Sequence, residues 1–102
     1  GKPVPTDSVN TMADGVATRV PAPEAFEVIR RGAADVIMVT DDQITDAMRA
    51  YYSDTHNIAE GAGAVALAGL LQQRGRWTGC KVAAVLSGAN IDMEVYGRVL
   101  AA

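Results

Sequence analysis

The stretch His56–Gly75, HNIAEGAGAVALAGLLQQRG, decides the fold of this chain. Its alanines and leucines predict a helix over residues 62–73, with Gly75 placed to end it. A glycine inside a helix costs about 1 kcal/mol relative to alanine, yet Gly61 and Gly63 stand where this helix begins. Such small residues let a helix approach a sheet, another helix or a bound ring, so we expect close packing at this end.

Two short apolar runs lie on either side of this helix along the chain. Residues 35–40, DVIMVT, and residues 81–86, KVAAVL, are apolar except at their ends, which is typical of buried parallel strands. Further helices are predicted over 23–32, 41–52 and 92–100. The order helix, strand, helix, helix, strand, helix indicates an α/β fold. Because two strands cannot form a stable sheet alone, we expect part of a parallel-sheet three-layer αβα domain that is incomplete here.

The predicted helix ends have recognisable signals. Pro23 suits a first helical turn, and Gly32 can adopt the left-handed conformation that ends a helix. Thr40 and Gln43 have the spacing of a capping box, in which each side chain bonds to the other residue's backbone N–H. The helix that follows should bury one face, formed by Ile44, Ala47, Met48 and Tyr51.

Composition excludes several classes of protein. The 102 residues are 49% apolar and 21% charged with a net charge of −3, as in one ordinary globular domain without a basic surface for nucleic acid. No apolar run is long enough to span a membrane, and we expect a cytoplasmic protein. A single histidine and a single cysteine argue against a metal site. Cys80 begins a predicted strand and is expected to be buried.

Three stretches are candidates for chemistry, and each has a simpler structural explanation. The segment 11–18, TMADGVAT, is either a turn or a loop that faces a ligand. Glu60 is either a favourable charge at a helix N-terminus or part of a site. The segment 85–90, VLSGAN, is either a plain turn or a hydroxyl presented at the carboxyl end of a strand, where ligands bind in open α/β sheets.

In this order and spacing, the three stretches resemble the carboxyl-terminal part of the catalytic domain of threonine (serine) dehydratases. The resemblance lies in residues 1–21, 54–71 and 81–92 and extends to VTDDQITDAMR at 39–49. These enzymes are pyridoxal-phosphate lyases of the tryptophan-synthase-β type, also called fold type II. The resemblance therefore implies that fold and pyridoxal 5'-phosphate as the cofactor.

The resemblance also implies roles for individual residues. Ser87–Asn90 matches the family motif Ser-Gly-Gly-Asn, whose serine hydroxyl meets the pyridine nitrogen of the cofactor. Glu60 matches the acid close to the cofactor ring, with Gly61 and Gly63 leaving room beside that ring. The loop 1–22 is expected to line the active site. The implied cofactor-binding residues are Ser87, Gly88, Glu60 and Gly15, and the implied substrate-lining residues are Ala13, Asp14 and Thr18.

The sequence departs from the family pattern in two respects. Ala89 stands where the family has glycine, which is unfavourable if that residue needs a positive φ. The Schiff-base lysine and the glycine-rich phosphate loop have no counterpart, because the only lysines are Lys2 and Lys81, neither in the family's context.

We therefore expect a fragment that is inert alone, with no catalytic residue of its own. With the remainder of the catalytic domain it would convert L-threonine or L-serine to a 2-oxo acid and ammonia. Unpaired sheet edges would favour self-association. The alternative is a non-catalytic small-molecule-binding or assembly domain derived from the same fold.

Overall fold

The computed structural model describes residues 1–102 and contains four α-helices joined by irregular segments. The helices are α1, Pro23–Gly32; α2, Asp41–Thr55; α3, Gly61–Gln72; and α4, Met93–Ala101. Single 3₁₀ turns cover Asp14–Val16 and Arg74–Trp77. The four helices predicted from the sequence are thus confirmed, with bounds that differ by one residue at most except at the end of α2.

Of the predicted signals for helix ends, the capping box is present and the glycine at the end of α1 is not used as a cap. The capping box of α2 is complete: the Thr40 hydroxyl accepts from the Gln43 N–H, and the Gln43 side chain accepts from the Thr40 N–H. This helix continues beyond the predicted residue 52 and ends at His56, which is left-handed with φ of 56°. The expectation for Gly32 was wrong, because it lies inside α1 and has no positive φ. The chain instead leaves α1 through extended backbone at Ala33.

The two predicted strands, 35–40 and 81–86, are absent from this structure, so the expected sheet and the order of elements within 23–102 stay predictions. Both segments are irregular, and no backbone–backbone hydrogen bond involves residues 34–39 or 81–87. A strand exists only when a second segment completes its ladder, and no segment of this chain lies in that position. The apolar side chains in these runs remain largely exposed, for example Val85 at 76%.

The core lies between α2 and α3 and is closed at one end by α4. The predicted face of α2 is confirmed, since three of its four residues are buried and Tyr51 is half-buried. Small side chains on α3 allow the two helix backbones to approach. The buried apolar residues are Ala13, Ile44, Ala47, Met48, Ala59, Ala64, Ala68, Tyr96 and Val99.

The molecule is a flat slab of 40 × 38 × 18 Å in which α1 packs on no other helix. Only 12 of the 102 residues are buried, so much apolar surface stays uncovered. Cys80 is exposed, contrary to expectation, because the strand it was expected to begin has no neighbours. No helix combines the length and the hydropathy that crossing a membrane requires.

The Tyr96 hydroxyl is buried without a hydrogen-bond partner. Since an unsatisfied buried polar group is unfavourable, Tyr96→Phe should leave the free energy of unfolding unchanged or raise it by up to about 1 kcal/mol. Burial, with a smaller contribution from the nearby Tyr52 phenol, raises the pKa of Tyr96 above its ordinary value. The unfolded chain therefore loses this proton at lower pH than the folded chain, and the wild type should lose stability as pH rises above about 10.

Urea denaturation between pH 7 and pH 11 measures both effects. The variant should lack the part of the alkaline loss that comes from Tyr96. The control is Tyr52→Phe, since Tyr52 is 46% exposed and its replacement should change stability at pH 7 by no more than about 0.5 kcal/mol. A clear destabilisation by Tyr96→Phe at pH 7 would mean that the hydroxyl has a partner.

Candidate functional site

The start of α3 is joined to the segment after residue 86 by a backbone hydrogen bond. The Glu60 N–H donates to the Gly88 carbonyl oxygen at 3.1 Å. This bond joins two of the candidate stretches, the one around Glu60 and the segment 85–90, which are far apart in the sequence. The junction of Glu60 and Gly88 is the centre of the candidate site.

Glycines allow three backbone segments to meet at this junction. A Cβ on Gly63 would collide with the Gly88 carbonyl oxygen, and a Cβ on Gly61 would lie 3.1 Å from the Met12 carbonyl oxygen. A Cβ on Gly15 would lie 2.9 Å from the Ala62 Cβ. The small residues of α3 therefore serve backbone packing. The expectation that Gly61 and Gly63 leave room beside a ring stays a prediction, with Gly61 among the residues that line the adjacent cleft.

The Glu60 carboxylate does not cap α3, because its side chain makes no capping hydrogen bond. It lies against the α-carbon of Gly88, where any side chain would meet the carboxylate oxygen Oε1. No hydrogen bond within the chain satisfies this half-buried carboxylate. A capping hydrogen bond from the Glu60 side chain is thus absent, whereas the simpler explanation, a favourable charge at the helix N-terminus, still applies.

A cleft of about 320 Å³ opens beside the junction. Its acidic members, Asp14, Glu60 and Asp92, come from three separate segments, and no lysine or arginine lines it. These carboxylates form no cluster that could hold a metal ion. A cleft with this charge disfavours an anionic group and suits a neutral or cationic one. The full lining consists of Met12, Asp14, Gly15, Glu60, Gly61, Asn90, Ile91, Asp92 and Val95.

The structure brings some of the expected site residues together and separates others. Glu60, Gly15 and Asp14 line the cleft, and Gly88 contacts Glu60. Ser87 is exposed, does not line the cleft, and its hydroxyl has no hydrogen-bond partner in the chain. Ala13 is 1% exposed and belongs to the core. Thr18 lies apart, in a groove along α1.

The loop 87–90 holds no backbone strain. Ala89 has no positive φ, so the departure from the family's glycine is a permissive substitution at this position. Sequence reasoning missed Asp92 and Val95 as lining residues, because they read only as the cap and first turn of α4. The one signal in the sequence that could have identified them is that they follow the motif 87–90 within a few residues.

Comparisons with known proteins show the family to which this chain belongs. The model of the family described as "Pyridoxal-phosphate dependent enzyme" matches residues 1–88. An L-threonine ammonia-lyase of Geobacter sulfurreducens is 38% identical over 100 residues, which are 98% of this chain and 25% of that protein. Among solved structures, maize serine racemase superposes with a TM-score of 0.79 at 30% identity, covering 96% of this chain and 31% of that one.

The solved threonine deaminase of T.th. superposes with a TM-score of 0.76 at 25% identity, covering 88% of this chain and 33% of that one. The chain thus spans between about a fifth and a third of the length of the curated relatives it matches. The helices and irregular segments described above correspond to one part of those longer proteins. Since the family model matches well over half of its residues, this chain belongs to the pyridoxal-phosphate-dependent enzymes.

Proposed function

We propose that this chain forms the side of a pyridoxal-phosphate site that faces the pyridine nitrogen, within a threonine or serine dehydratase. The observation that carries the proposal is the junction of Glu60 and Gly88, with Gly15 packed nearby. These are the residues to which the family resemblance assigns the cofactor. Their convergence from three distant parts of the sequence is what a shared site requires.

The polar groups near the junction fit the pyridine side of the cofactor better than its phosphate. Ser87 offers a hydroxyl without a partner next to Gly88, and a hydroxyl is a suitable donor to an unprotonated ring nitrogen. The cleft contains three carboxylates and no basic side chain, so a phosphate dianion would be repelled from it. The phosphate would therefore lie outside this cleft, and we propose that the remainder of the catalytic domain holds it.

Each residue has a defined task in this proposal. Bound pyridoxal phosphate supplies an electron sink for negative charge on the substrate. The Ser87 hydroxyl would donate a hydrogen bond to the ring nitrogen. Unlike an aspartate, it would not keep that nitrogen protonated, so the ring would withdraw electrons less strongly. The Glu60 carboxylate would set the charge beside the ring. The segment of Ala13 and Asp14 would line the substrate side through its backbone, with Thr18 more distant.

The substrate follows from the relatives rather than from the cleft. The Geobacter relative is named an L-threonine ammonia-lyase and the T.th. structure a threonine deaminase, and we therefore propose L-threonine or L-serine. The products would be a 2-oxo acid and ammonia. The chain offers no lysine near the cleft for proton transfer, so we propose that it is inert alone.

The exposed apolar surface and unpaired backbone support a second part of the proposal, that the remainder of the catalytic domain packs against this chain. The backbone groups of residues 34–39 and 81–87 lack backbone partners, and the apolar side of α1 is exposed. Strands of that remainder would complete a parallel sheet, or a second copy of the chain would cover the same edges by self-association. These exposed segments also suit the alternative function, a non-catalytic small-molecule-binding or assembly domain derived from the same fold.

Cofactor binding separates the two functions. In the complete gene product that carries this chain, Ser87→Ala should weaken pyridoxal-phosphate affinity about fivefold to tenfold through loss of one hydrogen bond. Ser8→Ala, at an exposed loop serine without hydrogen bonds, is the control and should have no effect. Titration followed by cofactor absorbance gives both affinities. Equal affinities for the two variants, or no binding by the wild type, would contradict the proposal.

The inert state is tested on the 102-residue chain itself. Incubation with pyridoxal phosphate and L-threonine should yield no 2-oxobutyrate. Sustained formation of that product by the purified chain would show that the reactive groups are present after all.

A further inference from the structure

Asp41, in the first turn of α2, holds the loop that forms one wall of the cleft. Its Oδ1 accepts a hydrogen bond from the Thr11 hydroxyl at 2.5 Å, and its Oδ2 accepts one from the Met12 N–H at 3.0 Å. No other hydrogen bond connects residues 1–22 to α2, α3 or α4. The attachment of this loop to the helices by hydrogen bonds therefore depends on one carboxylate.

The contact continues into the loop through Thr11. While its hydroxyl donates to Asp41, it accepts from the Ala13 N–H at 3.1 Å. The backbone of Met12 and Ala13 is the surface against which Gly61 packs. Loss of the Asp41 carboxylate would thus release a hydroxyl and an amide directly, and would leave the Thr11 hydroxyl free to rotate away from the second amide.

Asp41 is available for this contact because its neighbours meet the needs of the helix end. Thr40 and Gln43 form the capping box between themselves. Asp42 lies in the same turn, carries the same charge and makes no side-chain hydrogen bond. The chain therefore supplies its own matched control, in which charge and helix-dipole effects are the same but the loop contact is absent.

We propose that Asp41 is a positioning residue that orients the segment Thr11–Gly15 at the cofactor cleft. This inference rests on the function proposed above, since it assigns the cleft to the cofactor. Asp41 would touch neither cofactor nor substrate. It would act through the backbone of the loop. By keeping Asp14 and Gly15 in place before the cofactor binds, it would raise the affinity of the cleft for the cofactor.

The test is amide hydrogen exchange over residues 11–15, together with pyridoxal-phosphate affinity, in the complete gene product. Asp41→Ala should make the Met12 and Ala13 amides exchange about tenfold faster and weaken cofactor affinity severalfold. Asp42→Ala should change neither. Unchanged exchange in Asp41→Ala would overturn the inference.

A second pair of variants keeps the test decisive if Asp41→Ala does not fold. Thr11→Ser retains the hydroxyl and should exchange like the wild type, whereas Thr11→Val removes it and should expose the Ala13 amide. Equal exchange in these two variants would overturn the inference. Failure of the wild type to bind pyridoxal phosphate would contradict the proposed function, and with it the assignment of the cleft, while the exchange data would still show whether Asp41 holds the loop.

Discussion

Gly63→Ala is expected to lower the free energy of unfolding by about 2 kcal/mol and to open the candidate site. Overpacking a close contact costs about 1–3 kcal/mol, and here the obstacle is the Gly88 carbonyl oxygen, a backbone atom that no rotamer change can remove. The better helix propensity of alanine returns about 1 kcal/mol of that cost. The hydrogen bond from the Glu60 N–H to the same oxygen should be lost as the two segments separate.

Two other helical glycines provide controls for this prediction. Gly97, in α4, has open space where a Cβ would lie, so Gly97→Ala should raise the free energy of unfolding by about 1 kcal/mol. A Cβ on Gly69 would meet only the Ile37 side chain, whose terminal methyl, at 3.0 Å, can rotate away. Denaturant titration of the complete gene product compares the three variants. If Gly63→Ala were as stable as Gly97→Ala, the junction would not be as tight as described.

Met48→Ala is expected to have the largest effect on stability, a loss of about 3 kcal/mol. Met48 is the largest fully buried side chain and lies where α2 meets the rest of the core. Its truncation removes apolar burial and leaves a cavity, because the buried residues of α3 that form this core are alanines and glycines. Because domains are stable by only about 5–15 kcal/mol, this change should also displace α2, and with it the loop that Asp41 holds.

Met93 is the natural control for Met48, since it lies in a helix but is 90% exposed. Met93→Ala should change the free energy of unfolding by no more than about 0.5 kcal/mol. Thermal or urea unfolding gives both values under the same conditions. A loss below about 1 kcal/mol for Met48→Ala would place it outside the range of core methionines and would contradict the packing described here.

The helices could be predicted from the sequence because their signals are local. The capping box of Thr40 and Gln43 requires residues three apart, and the buried face of α2 follows from the helical period. The end of α2 was misplaced, since the left-handed residue that ends it is His56 and not glycine. Membership of the family was likewise readable, from the order of three short motifs that are each weak alone.

The candidate site was only partly predictable, because its contacts join residues that are far apart in the sequence. Glu60, Gly15 and Gly88 lie at the junction and its cleft, whereas Ala13 is buried in the core and Thr18 lies in a separate groove. The sequence of a loop does not show which of its residues the fold brings to a cleft, so the roles of these residues stay predictions. The role of Asp41 had no signal in the sequence, since its partners lie about thirty residues away.

By itself, therefore, the sequence determined the helices, the apolar face of α2 and the family, all of which depend on near neighbours or on ordered motifs. Only the tertiary structure decided what the glycines of α3 meet and that the runs 35–40 and 81–86 form no sheet. The physical reason is the same in both cases. A strand needs a second segment as its hydrogen-bonding partner, and a glycine is required only where other atoms occupy the space of a Cβ. That second segment and those atoms belong to residues that are distant along the chain.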